Sequence, residues 1–425
     1  MPKMATPAAV LDSRGNGSRN FPLAGAESAL TLFVARRRRW RRWYVAIGLS
    51  LVALTVGGLI AVWRGSDVVG STPRPSTIAP TWLPLEPQPQ TWSTVWTSKD
   101  STAAGDQSDA DVVVTYSAHS VVGRDVRTGS VRWSFTRRNR RLCTAVVAGT
   151  SVVAVFARGG LCDEVTGLDA GRGTRRFERT TTLSAAPGAF RLAAVNGSVA
   201  MIAPDGIELI APNDTANPGI SDWLDAQGAG CRTGAVAVGT TGVAFVSRCP
   251  GGNTLSQRAD TDRTARRWTI PLAGRALLGI DSMTAVLAAD GRRIEFLDPC
   301  QGRTQAEVTL PGRDDAPDQP SAQPLVGLTL YRTGSGYVAA DHRNVRWETR
   351  GRAVISNLDL VLRAGTGGVD TLSPSDGQAI AHTVTPGLTP NSELRRVWPY
   401  LLASSAAVGT VCYRGVPSPG AVSRR

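Results

Sequence analysis

After residue 90 the chain alternates short apolar, β-branched runs with polar, glycine-rich breaks. TAVVAGTSVVAVFA (144–157), GAVAVGTTGVAFVS (234–247) and MTAVLAADGRRIEFL (283–297) each hold two strand-length runs around such a break. That pattern predicts hairpins, and no amphipathic helix period competes with it. Residues 43–63 differ: WYVAIGLSLVALTVGGLIAVW is apolar on every side and carries no charge from Val45 to Val62. Eighteen helical residues cover about 27 Å, close to a bilayer core. Trp40, Trp43 and Tyr44 at one end and Trp63 at the other suit the two interfaces. A buried core helix does not fit a run without a polar side and without a second comparable run. A cleaved signal peptide is the other alternative. Its apolar part is ordinarily about 7–15 residues and is followed by a small-x-small site, which VWRGSDVV does not supply.

The hairpins repeat. VVGRDVRTGSVRWSF (121–135), VTGLDAGRGTRRF (165–177) and IEFLDPCQGRTQAEV (294–308) each show an apolar strand, Asp, Gly four residues on, and a second strand. The pairs are Asp125/Gly129, Asp169/Gly173 and Asp298/Gly302, with a divergent Ser373/Gly377. Asp starts a turn by accepting backbone N–H groups, and Gly supplies the positive φ that ends it. A bulky residue stands eight after Asp at Trp133 and Phe177, and Asp260 with Trp268 keeps that spacing. Unit ends are expected at Trp96, Trp133, Phe177, Trp223, Trp268, Val308, Trp347 and Val384, at intervals of 37 to 46 residues. A period near 40–45 with about four strands is that of a propeller blade. The expected fold is all-β: a seven- or eight-bladed β-propeller preceded by a single transmembrane helix. Trp133, Phe177, Trp223, Trp268 and Trp347 are expected to pack between blades. The C-terminal runs VWPYLLA and GTVCYR are expected to pair with TWSTVW (91–96) in one composite blade, which removes both free edges. Two packed β-sandwiches are the rival architecture, but they do not account for the repeated turn and Trp.

The stretches GRDVRTGSVRW and VTGLDAGRGTRRF resemble the quinoprotein-like (PQQ-like) β-propeller repeat. The layout is similar to that of membrane-anchored actinobacterial proteins with such a propeller outside the membrane, a family without an assigned activity. The resemblance covers roughly residues 91–414 and implies a fold, not a chemistry.

Charge sharpens the topology. The net charge is +13, and all but two of the 47 basic residues are Arg. Residues 1–42 hold nine basic and two acidic groups, including Arg36, Arg37, Arg38, Arg39, Arg41 and Arg42 immediately before the apolar run. Basic residues stay in the cytosol. Residues 1–42 are therefore expected as a cytoplasmic tail, 43–63 as the span through the lipid bilayer, and 91–425 as an extracytoplasmic propeller. The expected localisation is the cell membrane. Residues 64–90, rich in Pro, Ser and Thr, are expected as an extended spacer. With the excess charge concentrated in that tail, no nucleic acid partner is expected.

All six Cys follow the apolar run, as in an oxidising compartment. A hairpin turning near Gly239–Gly242 places Cys231 opposite Cys249, and Cys143 and Cys162 flank a similar pair of runs. That leaves Cys300 with Cys412; free buried thiols are the alternative.

Catalytic motifs are missing. There is no G-x-S-x-G, P-loop or H-E-x-x-H, and His119, His342 and His382 share no spacing. The acid runs DQSDADV (106–112) and GRDDAPDQP (312–320) lack the calcium-loop Gly and terminal Glu and read as solvated loops. TAVV, GAVAV and MTAVLA are taken as inner strands, which makes the channel lining apolar. No catalytic residue, metal or cofactor is expected. The expected function is a non-enzymatic binding or scaffold module in the cell envelope, with envelope proteins or wall polymer as partners. A receptor for a polysaccharide or small solute is the alternative. A quinone-dependent dehydrogenase, which the resemblance raises, would by the same resemblance need a Ca²⁺ clamp, a catalytic Asp and a vicinal disulfide. No adjacent Cys pair exists.

Overall fold

The computed structural model describes residues 43–60, 70–83, 91–105, 111–195, 197–214, 221–226, 228, 230–239, 241–258, 266–356, 360–385, 387–397, 399–405 and 409–416. The chain divides into two compact units, Met1–Ser66 and Asp67–Arg425.

In the first unit Trp43–Ile60 forms a helix that is long and apolar enough to cross a membrane. None of its side chains is buried, and Leu49, Leu54 and Leu59 are each about two-thirds exposed or more. Arg36 to Arg42 and residues 61–63 lie outside the described residues.

The second unit is an eight-bladed propeller; its eight sheets are antiparallel except where Ala104–Gly105 pairs in parallel with Val146–Val147 of blade 2, and the four main strands of blades 1 to 7 follow chain order from inner to outer. Blade 1 is Ser101–Thr102, Val112–Tyr116, Ser120–Asp125 and Val131–Arg137. Blade 2 is Arg141–Ala148, Ser151–Arg158, Leu161–Asp169 and Arg175–Ala185. Blade 3 runs from Arg191–Val195 to Ser221–Ala226, blade 4 from Arg232–Gly239 to Arg266–Pro271, and blade 5 from Ala276–Ile280 to Thr304–Thr309. Blade 6 runs from Ala322–Leu325 to Val345–Arg350, and blade 7 from Ala353–Ser356 to Ala379–Val384. MTAVLA belongs to the second strand of blade 5, Thr284–Leu287, not to an inner strand.

Blade 8 closes the ring. Its three inner strands, Glu393–Val397, Tyr400–Ser405 and Gly409–Val416, come from the C-terminal end, and its outer strand is Thr91–Ser98. The pairing Trp96↔Cys412 lies in that seam. The composite blade expected from the sequence is present, with three C-terminal strands where two were expected.

Buried apolar side chains form eight clusters, one for each interface between neighbouring blades. Trp133 and Phe135 of blade 1 meet Leu142, Phe156 and Leu168 of blade 2, for example. The last cluster joins Trp96, Tyr400 and Leu402 of blade 8 to Val113 and Val126 of blade 1. A ring packed this way has no terminal blade with an uncovered apolar face.

The described part of the 64–90 segment is not a free spacer. Ser71–Arg74 adds a fifth strand to the outer edge of blade 1, pairing Ser71 with Arg137 and Arg74 with Ser134. Farther on, Ser76 N–H donates to Arg172 O of blade 2 at 2.9 Å. Thr81 and Asp111 then exchange two bonds, Asp111 N–H to Thr81 O and Thr81 N–H to Asp111 Oδ1. An outer strand has an unsatisfied edge, and Pro73 is tolerated because it sits on the new edge.

Candidate functional site

The Asp-to-Gly turns join the third and fourth strands. Asp125 Oδ1 accepts the N–H groups of Arg127 and Thr128, and Gly129 N–H closes the turn on Asp125 O. Asp169 and Asp298 do the same. Each Gly has a positive φ, between 68° and 72° for these three and Gly377. Asp341 makes a turn of this kind in blade 6 to Arg343 and Asn344 N–H, without the Gly that would have marked it. Asp260 lies outside the described residues.

These turns receive the tryptophans. Trp96 Nε1 donates to Val126 O, Trp133 Nε1 to Ala170 O, Trp268 Nε1 to Pro299 O and Trp347 Nε1 to Pro374 O. Each acceptor lies in the turn of the next blade. A Cβ on Gly129, Gly173, Gly302 or Gly377 would fall 2.5–2.6 Å from the indole above it. The indole replaces that side chain, so Gly is required for contact as well as for φ. Phe177 packs partly buried at the interface of blades 2 and 3. Trp223 pairs with Leu209 in the outer strand of blade 3, and its side chain lies outside the described residues. In blades 5 and 7 the position opposite the third strand is held by Ala306 and Ala381, close to the expected Val308 and Val384.

Two disulfides are formed, Cys143–Cys162 and Cys231–Cys249. The expected third bridge is not: Cys300 and Cys412 are free. Cys300 is exposed on the Asp298 turn of blade 5. Cys412 is buried under Trp96 in blade 8, where loss of hydration raises its thiol pKa far above the ordinary range.

Many of the described carboxylates are neutralised by arginines. Arg132 bridges Asp111 and Asp125, while Arg137, wholly buried, reaches Glu164 and Glu178. Glu208 is engaged by Arg179 and Thr181. His382 Nδ1 lies 2.7 Å from Asp370, which Arg363 also binds. This resembles part of a catalytic triad, but among the described residues no Ser, Thr or Cys side chain bonds the other ring nitrogen. His119 meets Arg140 O, and His342 lies edge-on to Phe296. The three imidazoles occupy blades 1, 6 and 7 and do not converge. Among the described residues no group of three His, Cys, Asp or Glu side chains forms a metal cluster.

A cleft of about 320 Å³ opens on blade 6, lined among others by Arg313, Asp314, Ser335, Tyr337, Glu348 and Arg350. Asp314 accepts the backbone and hydroxyl hydrogens of Ser335. Burial raises the pKa of Glu348, and the charge of Asp314 raises it further. The run 312–320 thus contributes to a cleft instead of lying wholly in solvent. Its lining comes from a connecting loop and two strands, so no local sequence spacing marks it.

No protein-family model matches the chain, and no curated protein does. Solved structures do. The chain is similar to the dihydro-heme d1 dehydrogenase NirN in complex with DHE (TM-score 0.51, 13% identity, 76% of this chain and 80% of that one). It is also similar to the C-terminal WD40 domain of Sif2 (TM-score 0.52, 10% identity, 77% and 99%). BamB from Moraxella catarrhalis matches with a TM-score of 0.49 at 18% identity over 77% and 98%. At these identities the likeness concerns the β-propeller fold alone.

Proposed function

We propose that this chain is a single-pass membrane protein whose propeller stands outside the cytosol as a non-enzymatic binding scaffold of the cell envelope. The reading extends to a PQQ-like repeat of the kind found in membrane-anchored actinobacterial proteins. One observation carries it: a fully closed ring whose Asp and Glu side chains are largely committed to turns and ion pairs. Such a body offers two loop-covered faces for docking while its framework stays fixed. The apolar helix, the preceding Arg run and the two disulfides support a place across the membrane and in an oxidising compartment. The blade 6 cleft favours the second reading, a receptor for a small polar solute.

Cross-linking of the full chain in intact cells tests the reading. Links from propeller loops to specific envelope proteins are the expected result. Quinone-dependent turnover of an alcohol or sugar, with stoichiometric quinone and Ca²⁺, would replace the scaffold by an enzyme.

A further inference from the structure

The inner strands of blades 2, 3 and 4 open on Arg141, Arg191 and Arg232. Arg275 and Arg352 stand one residue before those of blades 5 and 7. Inner strands all run the same way through such a ring, so these arginines share one mouth of the channel. These five inner strands are therefore apolar in their middles and basic where they begin.

Two guanidinium side chains meet at Gly234, and a third arginine stands beside them in the ladder. Arg191 Nη2 crosses from blade 3 and donates to Gly234 O at 3.3 Å. Arg248 runs past the same residue so closely that a Cβ on Gly234 would lie 3.0 Å from its Nε. Arg232 pairs directly opposite Arg248 in the antiparallel ladder. Like charges in that relation destabilise a strand pair. They are held there: Cys231 precedes Arg232, Cys249 follows Arg248, and the two are bonded. Among the described residues no carboxylate lies within ion-pair distance of Arg191, Arg232 or Arg248. The adjoining turn, bound through Thr233 N–H to Pro204 O, carries Asp205, whose carboxylate is engaged by Ser184 N–H. Elsewhere in the ring, arginines such as Arg132, Arg137, Arg179 and Arg363 are matched by acids.

We propose that Arg191, Arg232 and Arg248 form a binding site for a phosphate-bearing ligand at this mouth of the channel. Guanidinium forks match phosphate oxygens two at a time. A phosphate dianion or diphosphate offsets more of the three positive charges than a single carboxylate. The disulfide fixes the cluster before binding, which lowers the ordering cost. This inference goes beyond the scaffold reading and does not depend on it.

The test uses the full chain in neutral detergent with inorganic pyrophosphate as the probe, followed by calorimetry and melting. Saturable binding is expected, with Arg232→Gln and Arg248→Gln each weakening it about tenfold or more. Without pyrophosphate these variants should melt no lower than the parent, because each removes a repulsion. Arg141→Gln, on the same mouth but outside the cluster, should keep the parent affinity. The Cys231→Ser, Cys249→Ser double variant should bind more weakly. In nanodiscs containing phosphatidylglycerol, loss of pyrophosphate binding would assign the site to a lipid headgroup, and retention to a soluble phosphate. No saturable binding by the parent, or an equal loss in Arg141→Gln, overturns the site. Failure to find envelope partners by cross-linking would leave it standing.

Discussion

Trp133 of blade 1 donates its indole N–H to the carbonyl oxygen of Ala170, in the turn of blade 2, at 3.0 Å. The ring is 1% exposed and covers Gly173. One side chain thereby fixes the spacing between two sheets and satisfies a turn carbonyl. The same relation recurs between blades 8 and 1, 4 and 5, and 6 and 7.

Trp133→Ala should cost about 3–5 kcal/mol, from lost burial plus the cavity. Trp133→Phe should cost less, about 1–3 kcal/mol, for the carbonyl left unpaired and the smaller ring. Gly173→Ala should also destabilise, through both its φ of 70° and the clash with the indole. Denaturant melts of the three variants check the order. An unchanged midpoint for Trp133→Ala would remove Trp133 from the framework.

The two disulfides close short loops, with sequence separations of 19 and 18. Each should contribute roughly 3 kcal/mol by restricting the unfolded chain. Peptide mapping should find Cys143 with Cys162 and Cys231 with Cys249, separable only after reduction, and reduction should lower the melting temperature. Alkylation of any of the four without reductant would contradict the pairing.

Acid should loosen the turns. Burial by itself raises the pKa of Asp125, but Arg132 and the N–H groups of Arg127 and Thr128 outweigh it and hold it below the ordinary carboxylate value. A depressed folded value means this contribution is present above the unfolded pKa, about 3.9, and is lost as pH falls through the folded one. Asp314, Asp341 and Asp370 are lowered in the same direction. Melting temperature should therefore drop below about pH 4. Asp125→Asn should be less stable than the parent at pH 7 and lose less on acidification. Parallel pH profiles would show that the Asp125 charge contributes nothing.

Much of the framework was legible because a hairpin turn is local chemistry. Asp125, Gly129 and Trp133 lie within nine residues, and each does one identifiable thing. Blade 6 has no Asp-to-Gly pair in its sequence because Asp341 turns without a Gly. Blades 5 and 7 were marked slightly off because Ala306 and Ala381 hold the tryptophan position. Features set by distant pairing were not readable. Ser71–Arg74 looked like a spacer by composition, and its strand exists only because the outer edge of blade 1 is there to receive it. Cys300 and Cys412 were joined as the remaining pair, although one lies on a turn of blade 5 and the other inside blade 8. The convergence of Arg191 and Arg248 on Gly234 joins neighbouring blades and leaves no local trace.

The placement of the propeller outside the cytosol is the claim on which the scaffold reading depends most. Cys300 offers a built-in probe, as the free and exposed cysteine, while Cys412 is free and buried. Intact cells expressing the full chain are treated with a membrane-impermeant maleimide that can pass the wall, and the labelled peptides are identified. The account predicts labelling of Cys300 in intact cells, with Cys412 reacting only after unfolding. Labelling of Cys300 only after the membrane is breached would place the propeller in the cytosol and contradict it.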